Sequence, residues 1–141
     1  MSMLARVVTA LLCLLPAAFI PNGAAARSAG PLIEYENVAA TTAGGKEATV
    51  DQIRTAFMSG GARHNWTFTQ EGPNKLVGTL NIRTHQVVVD IPISEGKYSV
   101  LYRNSVNMKY GVEDGKKVIH PQYNNWVKNL LGDVRGELAK I

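Results

Sequence analysis

The side chains with most chemistry to offer are three histidines, His64, His85 and His120, lying 21 and 35 residues apart. A zinc site needs three or four ligands within ~2 Å of the metal, usually with at least one local pair. None of these histidines has a partner two or four residues away, so no metal and no cofactor is expected. Nucleophilic catalysis needs a serine or threonine beside a histidine, with a carboxylate to orient it. Ser99, Ser105, His85, His120 and Asp90 could be drawn together, but no G-x-S-x-G elbow and no H-E-x-x-H motif selects them. Glu34 and Glu36 alternate on a strand-like stretch, while Glu113 and Asp114 fall in a turn, so neither reads as an acid/base pair. Gly44-Gly45-Lys46 lacks the rest of a phosphate-binding loop. No catalytic residue is expected.

Aromatic side chains are the other resource. Four of the five tyrosines and one of the two tryptophans fall between Lys97 and Leu131. Tyr98, Tyr102, Tyr110, Tyr123 and Trp126 could form a stacking platform for a glycan or an unfolded peptide. Asn104, Asn107, Asn124 and Asn125 would then supply hydrogen bonds. The competing reading is that Tyr98 and Tyr102 pack beneath a helix carrying Tyr123 and Trp126, with phenol oxygens at the rim. Helical spacing of the second group favours core.

The elements that must position these residues follow from periodicity. Thr49-x-x-Gln52 fits a capping box, Asp51 sits in the first turn, and Val50, Ile53, Ala56 and Phe57 form an apolar stripe that Gly60-Gly61 should stop. Trp66 and Phe68 alternate with threonines, and Gly72-Pro73-Asn74 is a turn. Leu76, Gly78, Leu80 and Ile82 face one way, as do Val87, Val89, Ile91 and Ile93 after a reversal near Thr84-His85. Pro92 cannot donate to a ladder, so it marks an edge or a strand end. Tyr98, Val100 and Tyr102 give a further strand, and Met108 and Tyr110 look like the start of another, broken at Gly111 to Lys117. Pro121 opens a last helix with an apolar stripe at 123, 126, 127, 130, 131, 134, 138 and 141. Gly132 and Gly136 lie on a neighbouring face, from close approach of another backbone or from fraying. The expected fold is α+β: an antiparallel sheet of about four strands with two helices on one face, in the order (β)-α-β-β-β-β-α.

The start of the chain reads differently. Arg6 and the apolar run Val7 to Ile20, followed by Ala24-Ala25-Ala26, have the form of a secretory signal spanning 1–26. The run is interrupted by Pro16 and is shorter than the ~20 residues of a membrane span. Cys13 lies inside the run behind Leu12, which is not a lipobox, so the expected mature chain has no cysteine and no transmembrane anchor. Residues 27–47 should be a loose N-terminal segment with an edge strand near Leu32 to Val38, leaving one domain over 48–141. The whole chain is formally +4, and removing Arg6 with the leader leaves +3. Its lysines and arginines are scattered, so no nucleic-acid partner is expected.

The pattern Arg83-x-His85, Tyr98-Ser99-Val100-x-Tyr102-x-x-Ser105-x-x-Met108-x-Tyr110 and Ile119-His120-x-x-Tyr123-Asn124-x-Trp126 resembles small exported bacterial proteins, many of them predicted lipoproteins. It covers roughly Ala56 to Leu131. The resemblance implies an envelope location and an α+β domain, with no assigned activity, and it draws attention to Arg83, His85, Ser105, His120 and Asn124. The departure is the missing lipobox. The expectation is therefore a non-catalytic periplasmic or secreted binding or accessory domain. Its binding residues would be Arg83, His85, Ser105, His120, Tyr123 and Asn124, and its partner an envelope protein or peptidoglycan glycan. The alternative is a small hydrolase or metal-dependent enzyme using His85 and His120, which requires those rings within about 4–6 Å of each other and of a carboxylate. Sequence leaves the oligomeric state open.

Overall fold

The computed structural model describes residues 29–141. The expected secretory signal lies outside the described residues.

The fold is α+β, with two antiparallel sheets and two helices. Strands β1 (Gly30–Pro31) and β2 (Tyr35–Ala39) precede helix α1 (Val50–Gly61). Strands β3 (Trp66–Gln70), β4 (Lys75–Ile82), β5 (His85–Ser94) and β6 (Lys97–Val106) follow, then β7 (Gly111–Glu113), β8 (Lys116–Ile119) and helix α2 (Gln122–Leu138). The main sheet has five strands in the order β2-β6-β5-β4-β3, and a second sheet has three in the order β1-β8-β7. Sequence periodicity anticipated the meander β3 to β6. The second sheet is a correction: the break expected over Gly111 to Lys117 is itself a hairpin, turned by Asp114 (φ 52) and Gly115 (φ 75). Aspartate followed by glycine is a favoured pair where both central turn residues need positive φ. The N-terminal stretch expected to be loose also carries structure, since Gly30 and Pro31 pair with β8 and Tyr35 to Ala39 pair with β6. The edge strand expected near Leu32 to Val38 is therefore present as β2.

Local chemistry explains the helices. The α1 capping box is complete: Gln52 N–H donates to Thr49 Oγ1 at 3.1 Å, and Thr49 N–H donates to Gln52 Oε1 at 2.9 Å. Helix α1 ends at Gly61, as expected, and passes directly into a 3-10 turn, Ala62–His64, so Gly60 and Gly61 keep right-handed backbone and do not form a left-handed cap. Their role is closeness. A β-carbon at Gly60 would meet the Asp133 backbone of α2 at 3.1 Å, and one at Gly61 would meet the Phe68 ring at 2.5 Å. Gly132 and Gly136 of α2, by contrast, have nothing within 4 Å of such an atom. Backbone approach between the helices is thus licensed by the glycines of α1.

One apolar core collects the inward residues of β4, β5 and β6 and the stripes of both helices, including Leu76, Leu80, Val87, Val89, Ile91, Val100, Ile53, Phe57, Val127, Leu130 and Val134. Tyr98 and Tyr123 join it, exposed by only 4% and 0%. On the opposite face of the sheet Arg103 Nη2 lies 3.0 Å from Glu71 Oε1 and 2.7 Å from Asp90 Oδ1, and Lys75 Nζ lies 3.3 Å from each. Asp90 Oδ1 is paired by charge alone there, without an aligned hydrogen bond. Arg103 holds the Glu71 carboxyl below its ordinary range, helped by Lys75.

Candidate functional site

The site is built where β5 begins, β6 ends and α2 starts. A β-bulge is what assembles it. Val88 pairs with Asn104 but Val89 pairs with Tyr102, so Arg103 is the extra residue and the alternation of β6 reverses there. Ser105 consequently shares a face with Tyr102, and their hydroxyl oxygens are 2.9 Å apart. In an unbulged strand residues three apart point to opposite faces. Tyr110 then stacks on Tyr102 with centroids 4.3 Å apart and planes at 17°, and remains 42% exposed. Tyr123 meets Tyr102 edge-on from below at 5.9 Å.

Two imidazoles are tied to the segment that joins Ser105 to Tyr110. His85, the first residue of β5, places Nδ1 2.6 Å from the Asn107 carbonyl oxygen. A carbonyl only accepts, so Nδ1 carries the proton and the neutral ring leaves Nε2 with a free lone pair. His120 Nδ1 accepts from the Gln122 N–H at 3.1 Å, satisfying an early donor of α2 where Pro121 has no side chain to do so. Its proton therefore sits on Nε2. The ring centroids are 6.0 Å apart, and the Trp126 ring is 6.2 Å from His85. Between them the neutral rings offer one acceptor and one donor.

Backbone strain collects at the same end. Arg83 (φ 55), Asn107 (φ 57) and Lys109 (φ 53) are all left-handed without being glycine. Asn107 ties the two loops by donating from Nδ2 to Thr84 Oγ1 at 2.9 Å, besides accepting from His85. Left-handed backbone at a non-glycine residue costs roughly 1–2 kcal/mol, and such outliers gather at functional sites.

The six residues singled out by sequence therefore divide. Ser105 bonds Tyr102, His85 and His120 face each other and are tied to the Asn107 and Met108 carbonyls just beyond it, and Arg83 sits on the adjoining turn, exposed and without an ion pair among the described residues. Tyr123 lies in the core beneath, its buried hydroxyl unpartnered and its ionisation pushed well above the tyrosine range, chiefly by burial and also by the Glu34 charge. Asn124 serves the fold: it accepts from Ile33 N–H at 3.1 Å and donates to the Pro31 carbonyl at 2.8 Å, clamping the N-terminal segment to α2. No carboxylate of the described residues comes within 4.0 Å of His85 or His120, and none of them forms a cluster of three metal-binding side chains. A metal on His120 Nε2 would also need the other tautomer, at the expense of the hydrogen bond to Gln122.

A histidine–carboxylate contact does exist elsewhere, between His64 Nδ1 and Asp133 Oδ2 at 2.5 Å. Next to it Arg63 meets Glu137 at 2.5 Å, so adjacent residues after α1 grip positions one turn apart on α2. These residues are 69 and 74 apart in sequence, and no local pattern announces them. A hollow of about 730 Å³ runs along α2 past His64, Asn125, Asn129 and Tyr35, and a smaller cavity of about 240 Å³ lies beneath Trp126 and Trp66. No helix among the described residues is long and apolar enough to cross a membrane.

No protein-family model matches the chain, and neither the curated proteins nor the solved structures compared with it yield a match.

Proposed function

We propose that the chain is a non-catalytic binding or accessory domain of the bacterial cell envelope, exported to the periplasm or secreted, and that it holds a glycan such as peptidoglycan at the Tyr102–Tyr110 rim. The location rests on the secretory form of residues 1–26 and on the resemblance to small exported proteins. The binding reading rests on one observation: the segment that leads from Ser105 to a stacked tyrosine pair, its outer ring 42% exposed, also anchors two imidazoles through the Asn107 and Met108 carbonyls. Flat apolar faces flanked by a few fixed polar groups are the usual make-up of a small-ligand site. Arg83 and Lys109, held out on strained backbone, would meet the polar edge of such a ligand.

Sedimentation with purified sacculi tests this. The wild-type chain is expected to co-sediment saturably, and Tyr110→Ala to lose most of that binding while keeping its thermal transition. An envelope protein held at the same rim is the other outcome, seen as Tyr110-dependent capture of one component from envelope extract. Failure to sediment with sacculi removes the glycan reading.

A further inference from the structure

We infer that the hollow along α2 is a binding site for a carboxylate-bearing sugar, with the carboxylate held between Lys128 and Arg135. The choice of a sugar rests on the glycan reading above; the anion site itself does not.

Three observations set the chemistry. The first is uncompensated charge. Lys128 and Arg135 both line the hollow, and neither has a carboxylate within 4.0 Å. All 11 acidic side chains of the chain fall between Glu34 and Glu137, inside the described residues, so the rest of the chain has none to supply. Asp133, the acid on the same wall, is engaged by His64 at 2.5 Å. Glu137, two residues beyond Arg135, is engaged by Arg63 and Lys140. With His64 neutral, the lining keeps one positive charge in excess. That suits a singly charged carboxylate better than a doubly charged phosphate, and the guanidinium fork matches a carboxylate's two oxygens.

The second is the floor between the cations. Lys128, Gly132 and Arg135 stand at i, i+4 and i+7, on one face of the helix, with the two basic residues ~10 Å apart along its axis. A β-carbon at Gly132 would meet nothing within 4 Å, so bare backbone faces the hollow between them. Glycine is a poor residue for a helix interior, and no packing within the described residues requires it here. The third is a pair of amides on the same lining. Asn125 Nδ2 donates to Gln122 Oε1 at 3.3 Å, which leaves its carbonyl oxygen to accept, and the Asn129 side chain has no hydrogen-bond partner among the described residues. Such amides pair with sugar hydroxyls. At about 730 Å³ the hollow is within the ~300–1,000 Å³ of small-ligand sites.

The experiment is calorimetric titration of the full chain with N-acetylmuramic acid, and with N-acetylglucosamine as the comparator lacking the lactyl carboxylate. Expected is saturable binding of the acid, weakening as salt rises, and none of the neutral sugar. Lys128→Gln and Arg135→Gln should each weaken binding about tenfold, the loss of one charge-assisted bond. Lys46→Gln, at an unpaired lysine outside the hollow, should leave the affinity unchanged. Gly132→Leu fills the floor with a good helix former and should abolish binding while keeping the thermal transition at or above that of the wild type.

No binding of the acid, equal binding of N-acetylglucosamine, or undiminished affinity in Arg135→Gln and Gly132→Leu overturns the inference. Inorganic phosphate competing at the same affinity overturns the assignment to a carboxylate. The two readings fail separately. Tyr110-dependent binding to sacculi without binding of the acid sugar leaves the tyrosine rim and removes the hollow. Arg135-dependent binding of the acid sugar without binding to sacculi does the reverse.

Discussion

Four glycines in helices give a test whose sign differs between positions of the same residue type. Replacing a helical glycine by alanine gains about 1 kcal/mol from backbone propensity alone. At Gly132 and Gly136 a new β-carbon meets nothing within 4 Å, so that gain stands unopposed. The double substitution should stabilise the domain by about 2 kcal/mol, raising the melting temperature by about 8 °C at the ~4 °C per kcal/mol of a domain this size. Gly61 has the same propensity to gain, but its β-carbon would lie 2.5 and 2.6 Å from two atoms of the Phe68 ring and 3.1 Å from Leu130 Cδ1. Phe68 cannot simply step aside, because it is stacked on Trp66 at 6.4 Å and meets Phe57 edge-on at 5.9 Å. Overpacking costs about 1–3 kcal/mol, so Gly61→Ala should come out net destabilising by up to about 2 kcal/mol. Urea denaturation with thermal melts in parallel measures all three variants. A Gly61→Ala chain as stable as the Gly132→Ala chain would refute the reading that α1 carries glycine for contact with α2 and β3.

Three other outcomes are expected. Asn124→Ala removes both bonds that hold Pro31 and Ile33, at about 1 kcal/mol each, and hydrogen exchange should then show lost protection at Ile33 with little change in β4 and β5. Tyr102→Phe and Ser105→Ala should each destabilise by about 1 kcal/mol, yet the double variant should cost hardly more than either, since both break one bulge-dependent bond; strict additivity would count against that bond. Tyr98 is pushed up to about 12 from 10.0 by burial, the Arg135 charge opposing weakly. The folded state then keeps a proton that the unfolded state releases, so this contribution is complete below pH 10 and is lost as pH rises toward about 12. Tyr98→Phe should flatten that alkaline loss, followed by denaturant midpoints across the range, and an unchanged alkaline slope would exclude Tyr98 as its source.

What was legible in the chain was whatever a local period could carry. The stripe of α1 with its Thr49–Gln52 box and the alternation of β4, β5 and the first half of β6 all repeat within a few residues. Strands of two to four residues have too little sequence to show a period, which hid β1, β7 and β8; only Asp114-Gly115 signalled their hairpin, and it resembled a simple break. Gly60-Gly61 marked where α1 ends, but the contacts with α2 and β3 that require glycine there lie far away in sequence. Arg103 could not be recognised as a bulge without knowing how β5 pairs.

That bulge matters for the site more than any residue within it. With regular alternation Ser105 would point away from Tyr102, and the end of β6 would present an ordinary edge. The inserted residue turns Ser105 back, and the left-handed Asn107 and Lys109 then turn the chain so that Tyr110 can lie over Tyr102. The same stretch delivers the Asn107 carbonyl to His85 and the Met108 carbonyl to the His120 N–H at 2.7 Å. One irregular segment thus fixes both the stacked rings and the first imidazole, and it anchors the second. Deleting Arg103 to restore the alternation is therefore expected to leave a folded sheet whose rim has lost the Tyr102–Ser105 bond.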